Sequence, residues 1–240
     1  MGRKTRSLLI VILSMVMLIA AAPGCYGNSA EPPSILIIVP DPPEDLEISI
    51  GSDNTNIKAN KINKIIERYY TFYSEDLRMA EDYTININTG ESNFQILLEE
   101  PLKSYNNIFT LDLNNQKLIP GKLLSRSILL VSLRIILTLI IEAIVFRLFG
   151  FRNKKSWIAF LIINLITQGA LNIWLNGYVP LASYLVFTLI FGEILVFVAE
   201  IIAFPALVKE HRPMRTILYV ITANFLSLYA GGYIITVLPI

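Results

Sequence analysis

The chain has 240 residues, of which 54% are hydrophobic and only 16% charged, a balance too apolar for an ordinary soluble domain and expected of one inserted in a lipid bilayer. Its formal net charge of +1 hides an asymmetry, because residues 26–125 hold 15 acids against 8 bases while most other bases flank apolar runs. The single cysteine, Cys25, excludes an intrachain disulfide, and nothing in the chain points to nucleic acid.

Residues 1–24 read as a signal peptide. Arg3, Lys4 and Arg6 make a basic start, and Ser7 to Ala22 is an apolar core shorter than the roughly 20 residues of a membrane span. Ala22-Pro23-Gly24 then offers small residues before Cys25. An uncleaved anchor helix is the alternative. Cys25 is either an ordinary residue near the cleavage site or a lipid-modified N-terminus, although Ala-Pro-Gly departs from the usual Leu-Ala-Gly type.

Residues 26–125 are expected to form a separate extracytoplasmic β domain, sandwich-like and large enough for one small core. The strand candidates are Ser34–Val39, Leu46–Ile50, Tyr69–Tyr73, Tyr83–Asn88, Asn93–Leu98 and Asn107–Leu113. Leu46, Ile48 and Ile50 alternate as in a half-buried strand. Thr89-Gly90-Glu91 reads as a turn. The stretch Asn60–Arg68 could instead be a short helix. Tyr69-Tyr70-Thr71-Phe72-Tyr73 is either core packing, the plainer reading, or an aromatic ligand platform. Glu99-Glu100 reads as solvated.

Four apolar runs follow, at about 127–149, 156–176, 181–204 and 215–238, each long enough to cross the hydrocarbon once. Together, residues 127–238 are expected to form an α-helical four-span transmembrane bundle. Loop 150–155 and its flanks hold Arg147, Arg152, Lys154 and Lys155. Loop 205–214, with Arg215 just beyond, holds Lys209, His211 and Arg212 against Glu210. Basic short loops stay in the cytoplasm. Both are therefore expected inside a bacterial plasma membrane, with residues 26–125 and the C-terminus outside. Pro180, Pro205 and Pro239 fall at expected helix ends.

The four spans read as two related hairpins or as a chance alignment of apolar helices. Glu142-Ala-Ile-Val-Phe146 overlays Glu200-Ile-Ile-Ala-Phe204, and Ile163-Asn164-Leu-Ile-Thr167 overlays Ala223-Asn224-Phe-Leu-Ser227. A duplication would put Glu142, Asn164, Glu200 and Asn224 in one layer of the bilayer's inner half. Glu193 and Glu200 share a helix face about 10 Å apart in depth. Asn164, Gln168 and Asn172, spaced by four, make a polar stripe. Ala223, Ser227 and Gly231 make a small-residue face of the kind that packs helices.

Four groups inside the spans are ionisable: Arg134, Glu142, Glu193 and Glu200. Each unpaired charge costs on the order of 3 kcal/mol or more at the membrane centre. Arg134 can serve as counter-charge to one acid, Glu193 or Glu142. The others need a proton, a cation, water or a basic loop. Such acids point to a binding site for a proton, a cation or a small polar solute. Its hypothetical members are Glu142, Glu193, Glu200, Asn164, Gln168 and Asn224. The plain alternative is that the amides merely cement the bundle.

No His/Cys/carboxylate cluster has metal-ligand spacing, and no glycine-rich phosphate loop occurs. The single histidine, His211, reads as a solvated loop residue. No catalytic group, metal or cofactor is therefore expected. The block from about 120 to 235 resembles a group of uncharacterised bacterial integral membrane proteins. The residues carrying the likeness are Glu142–Gly150, Asn164–Gln168, Glu193 with Val196 and Glu200, and Ala223–Ser227 with Gly231. The resemblance implies the architecture and no activity. Two functions lead: a membrane protein that binds or moves a proton, cation or small polar solute, and a non-transporting sensor or assembly protein whose β domain binds a protein or small-ligand partner; an intramembrane enzyme is third, since no nucleophile–base pair can be named.

Overall fold

In the computed structural model, residues 32–51, 56–80, 83–90, 92–98 and 102–239 are described. The expected signal peptide, Cys25 and Glu99-Glu100 lie outside them. A β-rich region of two sheets is followed by four long apolar helices.

Among the described residues the strands are β1 (Ile35–Pro40), β2 (Glu47–Ile50), β3 (Ile57–Lys58), β4 (Asn60–Asn63), β5 (Glu67–Phe72), β6 (Thr84–Asn88), β7 (Asn93–Leu97), β8 (Asn107–Asp112) and β9 (Lys117–Pro120). One sheet has the order β4-β5-β1-β8-β9, the other β3-β2-β6-β7. Strand β1 pairs antiparallel with β5 and parallel with β8. The sheets share one apolar core, to which β1 gives Ile35, Ile37 and Val39 and β2 gives Ile48 and Ile50. Tyr70 and Phe72 pack in that core, which favours the packing reading of the aromatic run. The Tyr70 hydroxyl donates to the Leu46 carbonyl at 2.9 Å, so the ring is buried without stranding its polar end.

The helical alternative for Asn60–Arg68 does not form. Asn60 to Asn63 pair instead with Arg68 to Thr71, closed by a turn in which the Lys64 N–H donates to the Glu67 carbonyl at 2.9 Å. A local helix would leave the β5 edge unpaired. Short β3 and β9, and α1 (Ser74–Met79), the one helix among the described residues of this region, carry no clear signal in the sequence. Only a capping contact marks α1: the Tyr73 N–H donates to Asp76 Oδ2 at 2.7 Å.

The long helices are α2 (Leu124–Leu148), α3 (Lys154–Asn176), α4 (Ala182–Leu207) and α5 (Pro213–Val237). All four are long and apolar enough to cross a membrane, the architecture of a multi-pass membrane protein. Each packs on its sequence neighbour, and α2 also packs on α5, closing a ring. Exposed isoleucines such as Ile128, Ile136, Ile140 and Ile144 face outward from α2, as lipid contact requires. Helix α4 runs past Pro205 rather than ending before it, and Lys209 Nζ donates to the Pro205 carbonyl at 2.8 Å. Proline in a last turn loses only one helical hydrogen bond.

The β region is seated on the bundle rather than tethered to it. Leu36, Ile38 and Tyr69, on the face of the sheet opposite the core, pack with Leu181 just before α4. Arg126, in the first turn of α2, donates through Nε to Glu67 Oε2 at 2.7 Å, through Nη2 to Glu67 Oε1, and to the Tyr69 hydroxyl at 3.1 Å. Lys122 Nζ donates to the Asn176 and Tyr178 carbonyls, and Lys64 Nζ to the Thr236 carbonyl at 2.9 Å. This joins the sheet to the near ends of α2, α3, α4 and α5. At the far end Phe146 stacks on Phe151 and Phe160, with Tyr219 against its edge.

Candidate functional site

The interior of the bundle carries a polar column. Helix α2 contributes Arg134 and Glu142, eight residues apart and so on one face. Helix α3 contributes Asn164, Gln168 and Asn172, α4 Glu193 and Glu200, and α5 Asn224 and Ser227. All are buried, Glu142 and Asn164 completely. Every residue singled out as a hypothetical binding group, and Arg134, therefore lies inside the ring of helices.

The column has two parts. In the half nearer the aromatic end, Glu200 is held from both sides. Thr167 Oγ1 on α3 donates to its Oε1 at 2.8 Å, and Asn224 Nδ2 on α5 donates to its Oε2 at 2.7 Å. Glu142 is the electrostatic neighbour of Glu200 and Glu193. Neither of its carboxyl oxygens has a hydrogen-bond partner, and Ser227, alongside it, lies outside bonding geometry. The proposed repeat mates are thus close together but differently satisfied. Asn164 Oδ1 and the Tyr219 hydroxyl beside it are also unpartnered.

The amides bond first within their own helices. Asn164, Asn172 and Asn224 each donate Nδ2 to the carbonyl four residues back on their own helix, at 2.9 to 3.0 Å. Of the three, only Asn224 also reaches across, to Glu200.

In the half nearer the sheet, Arg134, Gln168, Asn172 and Glu193 line a small cavity of about 20 Å³ closed by Leu171, Leu175, Leu189 and Gly231. That is room for one water-sized body. Arg134 Nε donates to the Leu130 carbonyl at 3.3 Å, while Nη1 and Nη2, Gln168 Nε2 and Glu193 Oε2 have no partner. Arg134 and Glu193 thus line one cavity without a direct ion pair between them. Among the described residues the direct ion pairs are Lys58–Glu47 and Arg126–Glu67. Gly192 sets the local spacing of the helices: a Cβ there would run into Leu171 and Trp174 of α3.

Sequence reasoning passed over three groups at the junction. Lys122 falls near the end of the polar region 26–125, Arg126 just beyond it, and Glu67 in the stretch that could be a short helix. The available signal was spacing, since Arg126 stands eight residues before Arg134 on the same helical face. Burial beneath the sheet, then the nearby Arg126 and Arg134 charges, push the Lys122 amine down to about 8, with Glu67 pulling the other way.

The far-end loops are bound to one another. Glu210 accepts the Arg152 N–H at 2.8 Å and the Asn153 N–H, and His211 Nε2 lies 3.1 Å from the Gly150 carbonyl. The His211 ring also packs edge-on to Phe151 at 4.9 Å, so it is a half-buried latch rather than a solvated loop residue. Among the described residues no group of three or more His, Cys, Asp or Glu side chains is arranged to hold a metal ion. No family model matches the chain, and comparison with curated proteins and with solved structures gives no match.

Proposed function

We propose that this chain is an integral protein of a bacterial plasma membrane that binds or moves a proton or a small polar solute through Glu142, Glu193 and Glu200. In this reading the β region is outside and the two basic loops are cytoplasmic. One observation carries it: three carboxyl groups lie buried within the spans, and only Glu200 has both oxygens bonded. An acid in a lipid span is expensive, and an acid left without hydrogen-bond partners is poor cement. The water-sized cavity beside Glu193 favours the smallest cargo.

The test is proton entry into vesicles of the reconstituted chain, read by a trapped pH-sensitive dye after a pH jump. Proton entry above that of empty vesicles, slowed at least tenfold by Glu142→Gln or Glu200→Gln, is the expected result. Unchanged entry in both variants overturns the proposal.

A second reading is favoured by a depression of about 370 Å³ on the outer face of the four-stranded sheet. Asn56, Asn86, Asn88, Asn93 and Gln95 line it together with the Lys58–Glu47 pair. It suits capture of a polar ligand or partner by the β region, with the helices as anchor. An absence of proton entry in the same experiment, wild type included, leaves this reading standing in place of the first.

A further inference from the structure

Positive charge is concentrated where the sheet meets the bundle. Lys122 precedes α2, and Arg126 and Arg134 share its inward face. Lys122 and Arg126, and Arg126 and Arg134, are electrostatic neighbours. Among the described residues Glu67 is the carboxylate beside Lys122 and Arg126, and Arg126 engages it directly. The approach to the cavity from the sheet side therefore attracts anions and repels cations.

The cavity itself has the matching chemistry. Arg134 brings two unpartnered donors, Nη1 and Nη2, and Gln168 brings Nε2. Both side chains are more than nine-tenths buried and line the cavity. Glu193 brings a carboxyl with one unpartnered oxygen. A cation placed here would sit beside the Arg134 guanidinium. An anion would accept from both arms of Arg134 and from Gln168, satisfying three otherwise stranded donors.

We propose that this cavity is a site for a single monovalent anion of halide size, taken up together with one proton on Glu193. The inference rests on the reading of Glu193 as a proton-carrying group and names the solute that goes with it. Charge balances in both states. Empty, the Arg134 cation is balanced by the Glu193 carboxylate. Filled, it is balanced by the anion, and Glu193 is a neutral acid whose hydroxyl can donate to that anion. One proton and one anion enter together, and the buried charge does not change. The cavity has room for about one water-sized body, which suits a monatomic anion such as fluoride or chloride better than a polyatomic one such as sulfate.

The groups that face Glu193 are few. Arg134 shares the cavity lining with it, and its electrostatic neighbours are Glu142 from α2 and Glu200 from its own helix. Among the described residues α3 offers only the neutral Gln168 and Asn172, and α5 offers Gly231 and Ile234 at the cavity. Glu193 is the carboxyl that lines the cavity, so its protonation removes the negative charge opposing an anion there.

The experiment is thermal unfolding of the full chain in detergent, in chloride or fluoride against gluconate at constant ionic strength, between pH 5.5 and 8. For the wild type, halide is expected to raise the midpoint, with an apparent affinity that weakens by up to tenfold per pH unit as pH rises. Glu193→Gln, which mimics the neutral acid, keeps the halide effect and makes it independent of pH. Arg134→Gln abolishes the effect, and Gln168→Leu weakens halide binding at least tenfold, which guards against an Arg134 variant that fails to fold. No halide effect in the wild type at pH 5.5, a halide effect that survives in Arg134→Gln, or an unaltered pH dependence in Glu193→Gln overturns the proposal. Proton entry into vesicles without any halide effect on unfolding removes this inference and leaves the proposed function intact. A halide effect without proton entry leaves the anion site and the binding of a proton at Glu193 standing and removes movement across the membrane from the proposed function.

Discussion

Arg126 and Arg134 stand on the same face of α2, eight residues apart, each with a buried glutamate nearby. Arg126 is bonded to Glu67 and to the Tyr69 hydroxyl, and the pair fastens the sheet to the bundle. Arg134 lines the same water-sized cavity as Glu193, and its two outer nitrogens are unpartnered. The same two residue types thus serve as a closed fastening in one place and as an open, chargeable site in the other. Contact distinguishes them, not burial, since both arginines are buried alike.

The largest expected effect of breaking this comparison is at the closed pair. Arg126→Ala leaves Glu67 as an uncompensated buried charge and is expected to cost about 3–5 kcal/mol of stability in detergent unfolding. Arg134→Ala breaks no direct ion pair and is expected to cost clearly less. Equal losses for the two would mean that Arg134 and Glu193 pair directly in solution.

Glu200 gives an intermediate case, an acid held by neutral donors. Asn224→Leu removes one of its two hydrogen bonds and is expected to cost about 1 kcal/mol, the usual worth of an interhelical hydrogen bond in a membrane. Thr167→Val removes the other and is expected to cost a similar amount. A loss below a few tenths of a kcal/mol in either variant would show that Glu200 is as open as Glu193.

The smallest effect sharpens the electrostatics of the junction. The folded state holds the Lys122 amine near 8, against the ordinary lysine value of 10.5, through burial and then the two arginines. Between those values the unfolded chain binds more protons than the folded one, so stability is lowest below pH 8 and rises towards pH 10.5. Unfolding midpoints measured from pH 7 to 10.5 are expected to show that rise, and Lys122→Gln is expected to flatten it. A rise of the same size in the variant would place its origin elsewhere.

Much of this was legible because an acid inside an apolar run has few places to go. Glu142, Glu193 and Glu200 stood out by composition alone, and helical spacing was enough to place each on an inward face. Strands with clear alternation, such as the one holding Ile48 and Ile50, were equally plain. The short strands Ile57–Lys58 and Lys117–Pro120 were not, because two to four residues carry no measurable period. Residues 60–68 misled for a related reason: their conformation is set by pairing with Arg68 to Thr71 and not by local preference. The second hydrogen bond of Glu200 hid in Thr167, a residue common enough in apolar helices to carry no signal of its own.

The run Ile35-Leu-Ile-Ile-Val39 shows the same limit at the level of the whole molecule. Its five apolar residues do not alternate, and all are fully buried, because one face lines the sandwich core and the other rests on Leu181 at the head of α4. Periodicity reports which faces are apolar, but not what covers them. The sequence by itself determined a β-rich region, four long apolar helices and a set of polar side chains that must turn inward, because these follow from local period and the cost of charge in lipid. Only the tertiary structure decided that the sheet sits on the helices, that Arg126 is paired and Arg134 is not, and that Arg134 and Glu193 line one cavity. Those are distances between residues far apart in the chain, and no local pattern encodes them.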